Sequence, residues 1–492
     1  MDLARDLNPS QLEAVEYAGG PMLVVAGAGS GKTRVITFKV ATLIDSGRFQ
    51  SEQILAVTFT NKAAEEMKAR IHSLLEGRVS RMPLICTFHS FCARFLRREI
   101  EVLGWPRDYT IYDSDDQLRL VKNILKALRV NDKEITPELV LYRIGHAKIH
   151  AIGPDEYARR FFRPEDETVA TAYRQYERHL RQNGALDFDD LILKSNEIMR
   201  RFPEVREAVG RQFRYLLVDE FQDSNPPQYE LVRHLTATHR NLCVVGDEDQ
   251  SIYGFRGAVM ANILNFERDF PGARVFKLEQ NYRSTPAILR AASALVAHNL
   301  NRREKTLWTA NQEGPPVVLY QAADAPEEAG WVARAIKDVL LDDFHATIGV
   351  LYRANFQSRR MEDALKRQGI AYRIVGGLSF YGRREIKDIV AYLKLLQNRQ
   401  DEVALLRVIN TPPRGIGDKT VDFVVQQARR QEKPVWDCLG EEAEGENLQT
   451  RGRSSLAQFR DMILRLERLA GQEPLDALLE RVFALSGYKQ FL

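Results

Sequence analysis

The chain carries Ala26-Gly27-Ala28-Gly29-Ser30-Gly31-Lys32-Thr33 directly after an apolar run. The glycines let backbone N–H groups converge on an anion, and the N-terminus of a following helix adds a favourable dipole. The chemistry this suits is phosphate binding. Lys32 reaches the outer phosphates of a nucleotide and the Thr33 hydroxyl ligates Mg2+. The strict pattern has glycine where Ala26 stands, so this is a variant. The bare alternative is a glycine-rich turn without a ligand.

A second acidic segment follows far downstream. Leu216-Leu217-Val218-Asp219-Glu220 reads as a buried strand ending in two carboxylates, which faces the crevice at the C-terminal end of a parallel sheet. There Asp219 holds Mg2+ and Glu220 polarises the attacking water. Val244-Val245-Gly246-Asp247-Glu248-Asp249-Gln250 repeats the strand-then-polar pattern, and places Gln250 to contact the γ-phosphate and the water. Arg283, in Gln280-Asn281-Tyr282-Arg283-Ser284, is the first arginine to consider for transition-state charge. A structural ion pair is its alternative.

Elements must position these residues. Met22–Ala26, Ile54–Phe59, Leu84–Thr87, Tyr215–Asp219 and Leu242–Gly246 are short apolar runs that alternate with helical stretches, which predicts a parallel α/β sheet. Asn8-Pro9-Ser10-Gln11 opens a helix, and further helices start at Lys32 and Asn61. Residues 107–184 are almost wholly helical and read as an insertion. A second strand–helix series begins near Arg274, with strands expected at Val317–Tyr320 and Ile348–Tyr352. From about 385 the chain turns helical again. Gly440–Ser455 reads as a polar surface loop. A final amphipathic helix is expected to place Leu475, Leu478, Leu479, Val482 and Phe483 on one face.

Bulk properties frame this reading. At 492 residues the chain is too long for one ordinary core. Its 44% hydrophobic and 28% charged composition is that of a globular protein. No stretch has the apolar length needed to span a bilayer, and the N-terminus lacks a signal-peptide core. Four scattered cysteines suit a reducing, cytoplasmic setting. Cys86, His89 and Cys92 lie close together, but no second ligand pair sits at zinc-site spacing. A net charge of +3 is small, so any basic surface is local.

Ordered together, these segments resemble the superfamily 1 DNA helicases of the UvrD/Rep/PcrA family, from Leu7 to about Asp388. The matching segments are Asn8-Pro9-Ser10-Gln11, the phosphate loop, Thr58–Ala64, Thr87–Phe91, Asp187–Leu191, Asp219–Asp223, Gly246–Tyr253 and Asn281–Ser284. Tyr352-Arg353, Gln357–Arg359, Phe380 and Arg384–Asp388 complete the set. The resemblance implies two RecA-like P-loop parallel-sheet motor domains, each with a helical insertion. The first motor spans 1–106 and 185–276, its insertion 107–184, the second motor 277–375 and its insertion 376–492. It implies ATP and Mg2+ in the cleft between motors, and 3′→5′ translocation on single-stranded DNA with duplex unwinding, in repair or replication. Gln11 then reads the adenine edge, Tyr282 stacks on the base, and Arg34 lies near the phosphates. Two late segments of the family pattern do not occur, including one that supplies a further arginine to the γ-phosphate. The expectation is an incomplete second motor, and residues 1–492 that bind ATP but hydrolyse it poorly.

Travel along a strand needs aromatic faces for bases and donors for phosphates. Phe59, His89, Tyr253, Phe255 and Arg256 lie in segments that carry such contacts in the family. Phe255 stands where tryptophan is typical and still offers a stacking face. Arg353, Asn355 and Arg359 are candidates on the second motor. Phe88 and Phe91 are assigned to core packing. Val408–Gly417 resembles a helix-hairpin-helix turn, whose Gly415 and Gly417 would offer backbone N–H groups to duplex phosphates. A plain helix–helix turn is its alternative. The expected partners are single-stranded DNA, single/double-strand junctions, and repair or replication proteins. Two other classes stay open: a DNA translocase that does not unwind, and the motor subunit of a helicase–nuclease complex. A small-molecule P-loop kinase fails on length and on the stacking loop.

Overall fold

The computed structural model describes residues 2–76, 78–130, 135–300, 302–375, 383–431, 433–439 and 450–492. Phe380 and most of the Gly440–Ser455 stretch lie outside them. Among the described residues eight strands form: β1 Met22–Ala26, β2 Ile54–Thr58, β3 Leu84–Thr87, β4 Thr110–Ile111, β5 Ala185–Leu186, β6 Tyr215–Val218, β7 Leu242–Gly246 and β8 Arg274–Leu278. Six of them make one sheet in the order β3-β2-β6-β7-β1-β8, with every pairing parallel. β4 and β5 pair as a separate two-stranded ribbon at the two ends of the helical insertion.

Helices cover both faces of this sheet, which is why its strands read as unbroken apolar runs rather than alternating ones. Alternation appears only in where the side chains go. Leu23, Val25, Leu55, Val57, Leu216, Val218, Leu242 and Val244 join one core, and Met22, Val24, Ala26, Ile54, Ala56, Leu217, Cys243 and Val245 the other. The insertion attaches to the first core through a buried ion cluster. Lys148 Nζ lies 2.7 Å from Asp187 Oδ2, 2.8 Å from Asp190 Oδ1 and 2.7 Å from Glu177 Oε1.

Several expectations are corrected here. β8, expected to begin a second strand–helix series, instead pairs with β1 along its whole length and closes the first sheet. Val317–Tyr320 and Ile348–Tyr352 form no strand among the described residues. No neighbouring strand takes up their backbone groups, and Leu319 and Leu351 are each 96% exposed. Residues 450–455, expected in a loop, begin the helix Thr450–Ala470. Leu475 is exposed on its helix, while Leu478 and Val482 are buried and Leu479 and Phe483 pack against them.

The chain divides into two compact units, 1–313 with 388–492, and 314–387. The first holds the sheet, the insertion and a helical cluster built on Tyr392, Leu405, Phe459 and Val482. The second rests on two helices, Ala325–Asp342 and Ser358–Arg367, joined through Ala329, Ala333, Ile336, Ala364 and Leu365. No helix of the described residues is long and apolar enough to cross a membrane.

Candidate nucleotide site and nucleic-acid interface

A parallel sheet delivers the C-terminal ends of all its strands to one edge. Ala26 pairs with Leu278, Val25 with Gly246, and Val57 with Val218. The segments that follow these residues are the ones singled out by chemistry: 27–33, 219–223, 247–250 and 279–283. The register of the sheet therefore builds the site.

The phosphate loop is held in shape by its own turn. Ser30 donates both its N–H (3.2 Å) and its hydroxyl (2.7 Å) to the Gly27 carbonyl. Gly29 and Gly31 have φ of +70° and +89°. A Cβ on Gly29 would come within 2.6 Å of Asn281 Nδ2, and one on Gly31 within 2.7 Å of Gln11 Nε2. Positive φ and close approach together make glycine necessary at both places. The helix Lys32–Asp45 then starts with Lys32 and Thr33 in its first turn.

Gln11 is 1% exposed and grips the loop directly, donating Nε2 to the Ser30 carbonyl at 2.9 Å. Its helix, Pro9–Glu16, opens with a reciprocal capping box: Gln11 N–H donates to Asn8 Oδ1 (2.8 Å), and Asn8 N–H to Gln11 Oε1 (3.2 Å). The other end is fixed by Lys39, buried in the Lys32–Asp45 helix. Its Nζ donates to the carbonyls of Ala14 (3.0 Å), Val15 (3.2 Å) and Tyr17. Burial lowers the Lys39 ammonium to about 8. Arg34, expected near the phosphates, donates to the Asp6 carbonyl at 2.5 Å and lies 5.5 Å over the Phe38 ring.

Lys32 Nζ meets Glu220 Oε2 at 3.0 Å. Gln222 Nε2 donates to the same oxygen (2.9 Å), and Gln222 Oε1 accepts from Asp247 N–H (3.0 Å). Glu220 itself has φ of +49°, a strained setting for a residue with a side chain. Asp219 is buried, and burial with the neighbouring Glu220 charge pushes its carboxyl up to about 6. Asp223 is pushed to about 6 by the same two causes. Its Oδ1 is buried with no hydrogen-bond partner among the described residues. Carboxylates and the Thr33 hydroxyl are hard oxygen donors, the set that suits Mg2+. Among the described residues no three acidic, His or Cys groups gather closely enough to cage an ion.

The segment after β8 lies across the loop. Tyr282 N–H donates to the Gly29 carbonyl (3.0 Å), and Asn281 Nδ2 to that of Ala28 (2.5 Å). Tyr282 is half exposed, and its hydroxyl takes a bond from Asn8 Nδ2 at 2.7 Å. Asn281 Oδ1 accepts the N–H groups of Arg283 and Ser284, which seats Arg283 beside Gly29. Gln250 Nε2 donates to Asp247 Oδ2 at 2.5 Å.

One residue here escaped the sequence reading. Lys305, with its side chain 2% exposed, reaches Asp247 Oδ1 (2.5 Å), Asp249 Oδ2 (2.9 Å) and Glu248 Oε1 (3.3 Å). Burial alone would lower its ammonium. The charge of Asp247, with hydrogen bonds to Asp247 and Asp249, outweighs burial and holds it above its ordinary value. Three consecutive acids at a strand end were the available signal that a cation had to come from elsewhere.

The aromatic segment follows Gln250 directly. Phe59 stacks on Tyr253 with centroids 6.1 Å apart and planes at 17°, and Tyr253 lies 5.9 Å from Phe255. The Arg256 guanidinium covers both rings, at 5.2 Å and 5.7 Å. Phe255 is 74% exposed, so a flat apolar face with a cation beside it is offered to solvent. His89 sits edge-on to Phe188 at 5.9 Å, and burial lowers its pKa, favouring the neutral ring. Phe88 and Phe91 are buried in the core.

Arg353, Asn355 and Arg359 belong to the second unit. The two arginines line a hollow of about 800 Å³ there with Tyr352 and Phe356, and Asn355 starts the short turn Asn355–Gln357. Gly415 and Gly417 lie between the helices Glu402–Val408 and Asp418–Gln431. In that hairpin the Ile416 amide turns inward to Asn410 Oδ1 (3.3 Å), and Arg414 is spent on the carbonyls of Val408 (2.9 Å), Pro412 (3.0 Å) and Ser486 (3.1 Å).

Comparison with known proteins agrees with this geometry. Residues 7–271 match the UvrD/REP helicase N-terminal domain, and residues 276–444 the UvrD-like helicase C-terminal domain. The ATP-dependent DNA helicase PcrA of Staphylococcus epidermidis is 40% identical over 491 residues, covering 100% of this chain and 67% of the relative. PcrA of Bacillus subtilis is 41% identical over 497 residues, covering 100% and 66%. This chain thus spans about two-thirds of the length of these relatives, and it belongs to the UvrD/Rep helicase family.

Proposed function

We propose that this chain is an ATP-dependent DNA helicase that moves 3′→5′ on single-stranded DNA and opens duplex ahead of it. The observation that carries the reading is the meeting of Lys32, Glu220, Asp219 and Gln250 at the sheet edge, with the Tyr253–Arg256 aromatic segment starting three residues beyond Gln250. Lys32 draws charge off the outer phosphates, Glu220 polarises water, and Gln250 senses both. Arg283 stabilises transition-state charge. Thr33 and Asp219 hold Mg2+, which supplies charge neutralisation at the phosphates when bound. Gln11 and Tyr282 hold the base.

The two-motor organisation, with its boundaries near 106, 184, 276 and 375, is part of this reading; the family matches over 7–271 and 276–444 support the division near 276. Slow turnover by the 492-residue chain is also part of this proposal. Lys32 is tied to Glu220 and Gln250 to Asp247, and both ties must be exchanged for nucleotide and water before hydrolysis. The DNA contacts assigned in this reading are Phe59, His89, Tyr253, Phe255 and Arg256 on the first unit, and Arg353, Asn355 and Arg359 on the second.

The test is Lys32→Ala. Single-turnover ATP hydrolysis should fall by roughly 100- to 1,000-fold, as for loss of one transition-state donor, while ATP-free binding of single-stranded DNA stays unchanged. Unchanged hydrolysis removes Lys32 from the site. A strand-displacement assay with 3′- and 5′-tailed duplexes reads direction, and translocation without displacement would make the protein a non-unwinding translocase.

A further inference from the structure

We propose that Lys305 is a positioning residue for ATP hydrolysis, acting on Gln250 through Asp247. This rests on the ATP-hydrolase reading above. Asp247 uses both carboxylate oxygens. Oδ1 takes Lys305 Nζ (2.5 Å) and the Asp249 N–H (3.1 Å), and Oδ2 takes Gln250 Nε2 (2.5 Å). Rotation of that carboxylate would break both contacts, so the ammonium sets the orientation in which Asp247 holds Gln250. The Asp247 amide donates to Gln222, whose own amide donates to Glu220, which pairs with Lys32. Lys305 is therefore one end of an unbroken polar chain whose other end is the phosphate-loop lysine.

Its location gives this chain a direction. Lys305 lies on a strap, residues 302–308, that grips both sides of the site. Asn299 and Arg302 bond Asp249 (3.0 and 2.9 Å), and the Arg303 N–H bonds Glu248 Oε1 (3.0 Å). Two residues beyond Lys305, the Leu307 side chain lies over Gly27, where a Cβ would meet it at 2.3 Å. Trp308 and Asn281 share a backbone bond at 2.7 Å, joining the strap to the segment that carries Tyr282 and Arg283. A shift of the strap reaches the phosphate loop through Leu307 and the Gln250 loop through Lys305 at once. Gln250 leads directly into Ser251–Arg256, so the residue that Asp247 holds is followed at once by the aromatic segment.

The acids also show that Lys305 does more than balance charge. Asp247 and Glu248 are buried and the Asp249 side chain is largely covered, with Lys305 and Arg302 as their close cations among the described residues. Arg302 serves Asp249 alone. Asp247, the residue that holds Gln250, has Lys305 as its one ion-pair partner among the described residues.

The experiment is single-turnover hydrolysis at saturating ATP, with ATP affinity measured separately by fluorescent-nucleotide titration and folding by urea melts. Lys305→Met should slow hydrolysis by roughly 10- to 100-fold, the usual range for losing a residue that orients a working group, with ATP affinity unchanged. Lys305→Arg should restore most of the rate. The double variant Lys305→Met/Asp247→Asn should be no slower than the slower single variant, since both act on one contact. Should Lys305→Met fail to fold, Asp247→Asn carries the same expectation, because it weakens the hold on Gln250 while shedding a buried charge. An unchanged rate in Lys305→Met, or in Asp247→Asn when that variant stands in, overturns the proposal. So does a parallel fall in rate, ATP affinity and urea midpoint, which marks a structural brace, and so does an additive double variant. Wild-type chain that binds ATP yet hydrolyses none overturns the hydrolase reading and this inference with it.

Discussion

Met22–Ala26 and Val317–Tyr320 are short apolar runs of similar composition, yet the first is a fully buried central strand and the second forms no strand. The difference lies in their neighbours. β1 has β7 on one side and β8 on the other, so its backbone groups are paired along both edges and helices cover both its faces. Val317–Tyr320 has no ladder partner among the described residues, and Val318 and Leu319 stay in water. A strand is a property of a pair, because the cost of burying unpaired N–H and C=O groups exceeds what a few apolar side chains return. The two units of the chain differ in the same way. One has cores on both sides of a sheet, and the other two helices and a handful of buried residues.

The largest expected contrast tests this directly. Leu217 is fully buried in the sheet, whereas Leu319 is 96% exposed. Leu217→Ala should cost about 2–5 kcal/mol in urea unfolding, the range for emptying a packed leucine site. Leu319→Ala should change it by less than about 0.5 kcal/mol, as surface changes do. Equal costs would mean that Leu319 is packed in solution and that the second unit has a core the comparison denies it.

A glycine pair gives a smaller contrast. Gly29 has φ of +70° and Asn281 against it, whereas a Cβ on Gly349 meets nothing within 4 Å. Gly29→Ala should cost about 1–2 kcal/mol, the penalty of left-handed backbone for a residue with a Cβ, and should weaken ATP binding as the loop shifts. Gly349→Ala should lie within about 0.5 kcal/mol of wild type, with a slight gain from a stiffer unfolded chain. A costly Gly349→Ala would show that its segment is held in a defined conformation.

What was legible in the sequence follows the same division. The strands at 22–26, 54–58, 84–87, 215–218 and 242–246 could be read because each is a continuous apolar run, the signature of burial on two faces. Asn8 and Gln11 announced a helix start three residues apart, and the phosphate loop announced itself by glycine spacing. Those signals are local. Lys305 was missed because its partners lie 56 to 58 residues away, and nothing near it in sequence is acidic except Glu304. Lys39 was missed because a lysine within a helix usually faces water, whereas this one caps a neighbouring helix. β8 was misplaced for a related reason. Its sequence suggests a strand but does not say which sheet it joins.

The smallest effect concerns protons at the buried edge of the sheet, where the nucleotide-bearing unit differs most in character from the exposed second unit. Burial and the Glu220 charge raise the Asp219 carboxyl to about 6 in the folded chain, against 3.8 unperturbed. Between those values the folded state keeps a proton that the unfolded state has released. Stability of the nucleotide-free chain therefore falls as pH rises through that window, by no more than about 1.4 kcal/mol per unit from this group. Other carboxylates titrate there too, so the measurable quantity is the difference between wild type and Asp219→Asn, which cannot ionise. That difference should be constant below pH 3.8 and change progressively toward pH 6. On the proposed role of Asp219, Mg2+ would reverse the sign, because it would need the ionised carboxylate that the ligand-free fold disfavours. Binding of Mg2+ with nucleotide should weaken by about tenfold per pH unit below 6 in wild type. Asp219→Asn should bind weakly at every pH with no such slope. A wild-type titration that is flat from pH 5 to pH 7 would show that Asp219 is ionised throughout, and that the carboxylate edge is more open to water than its burial implies.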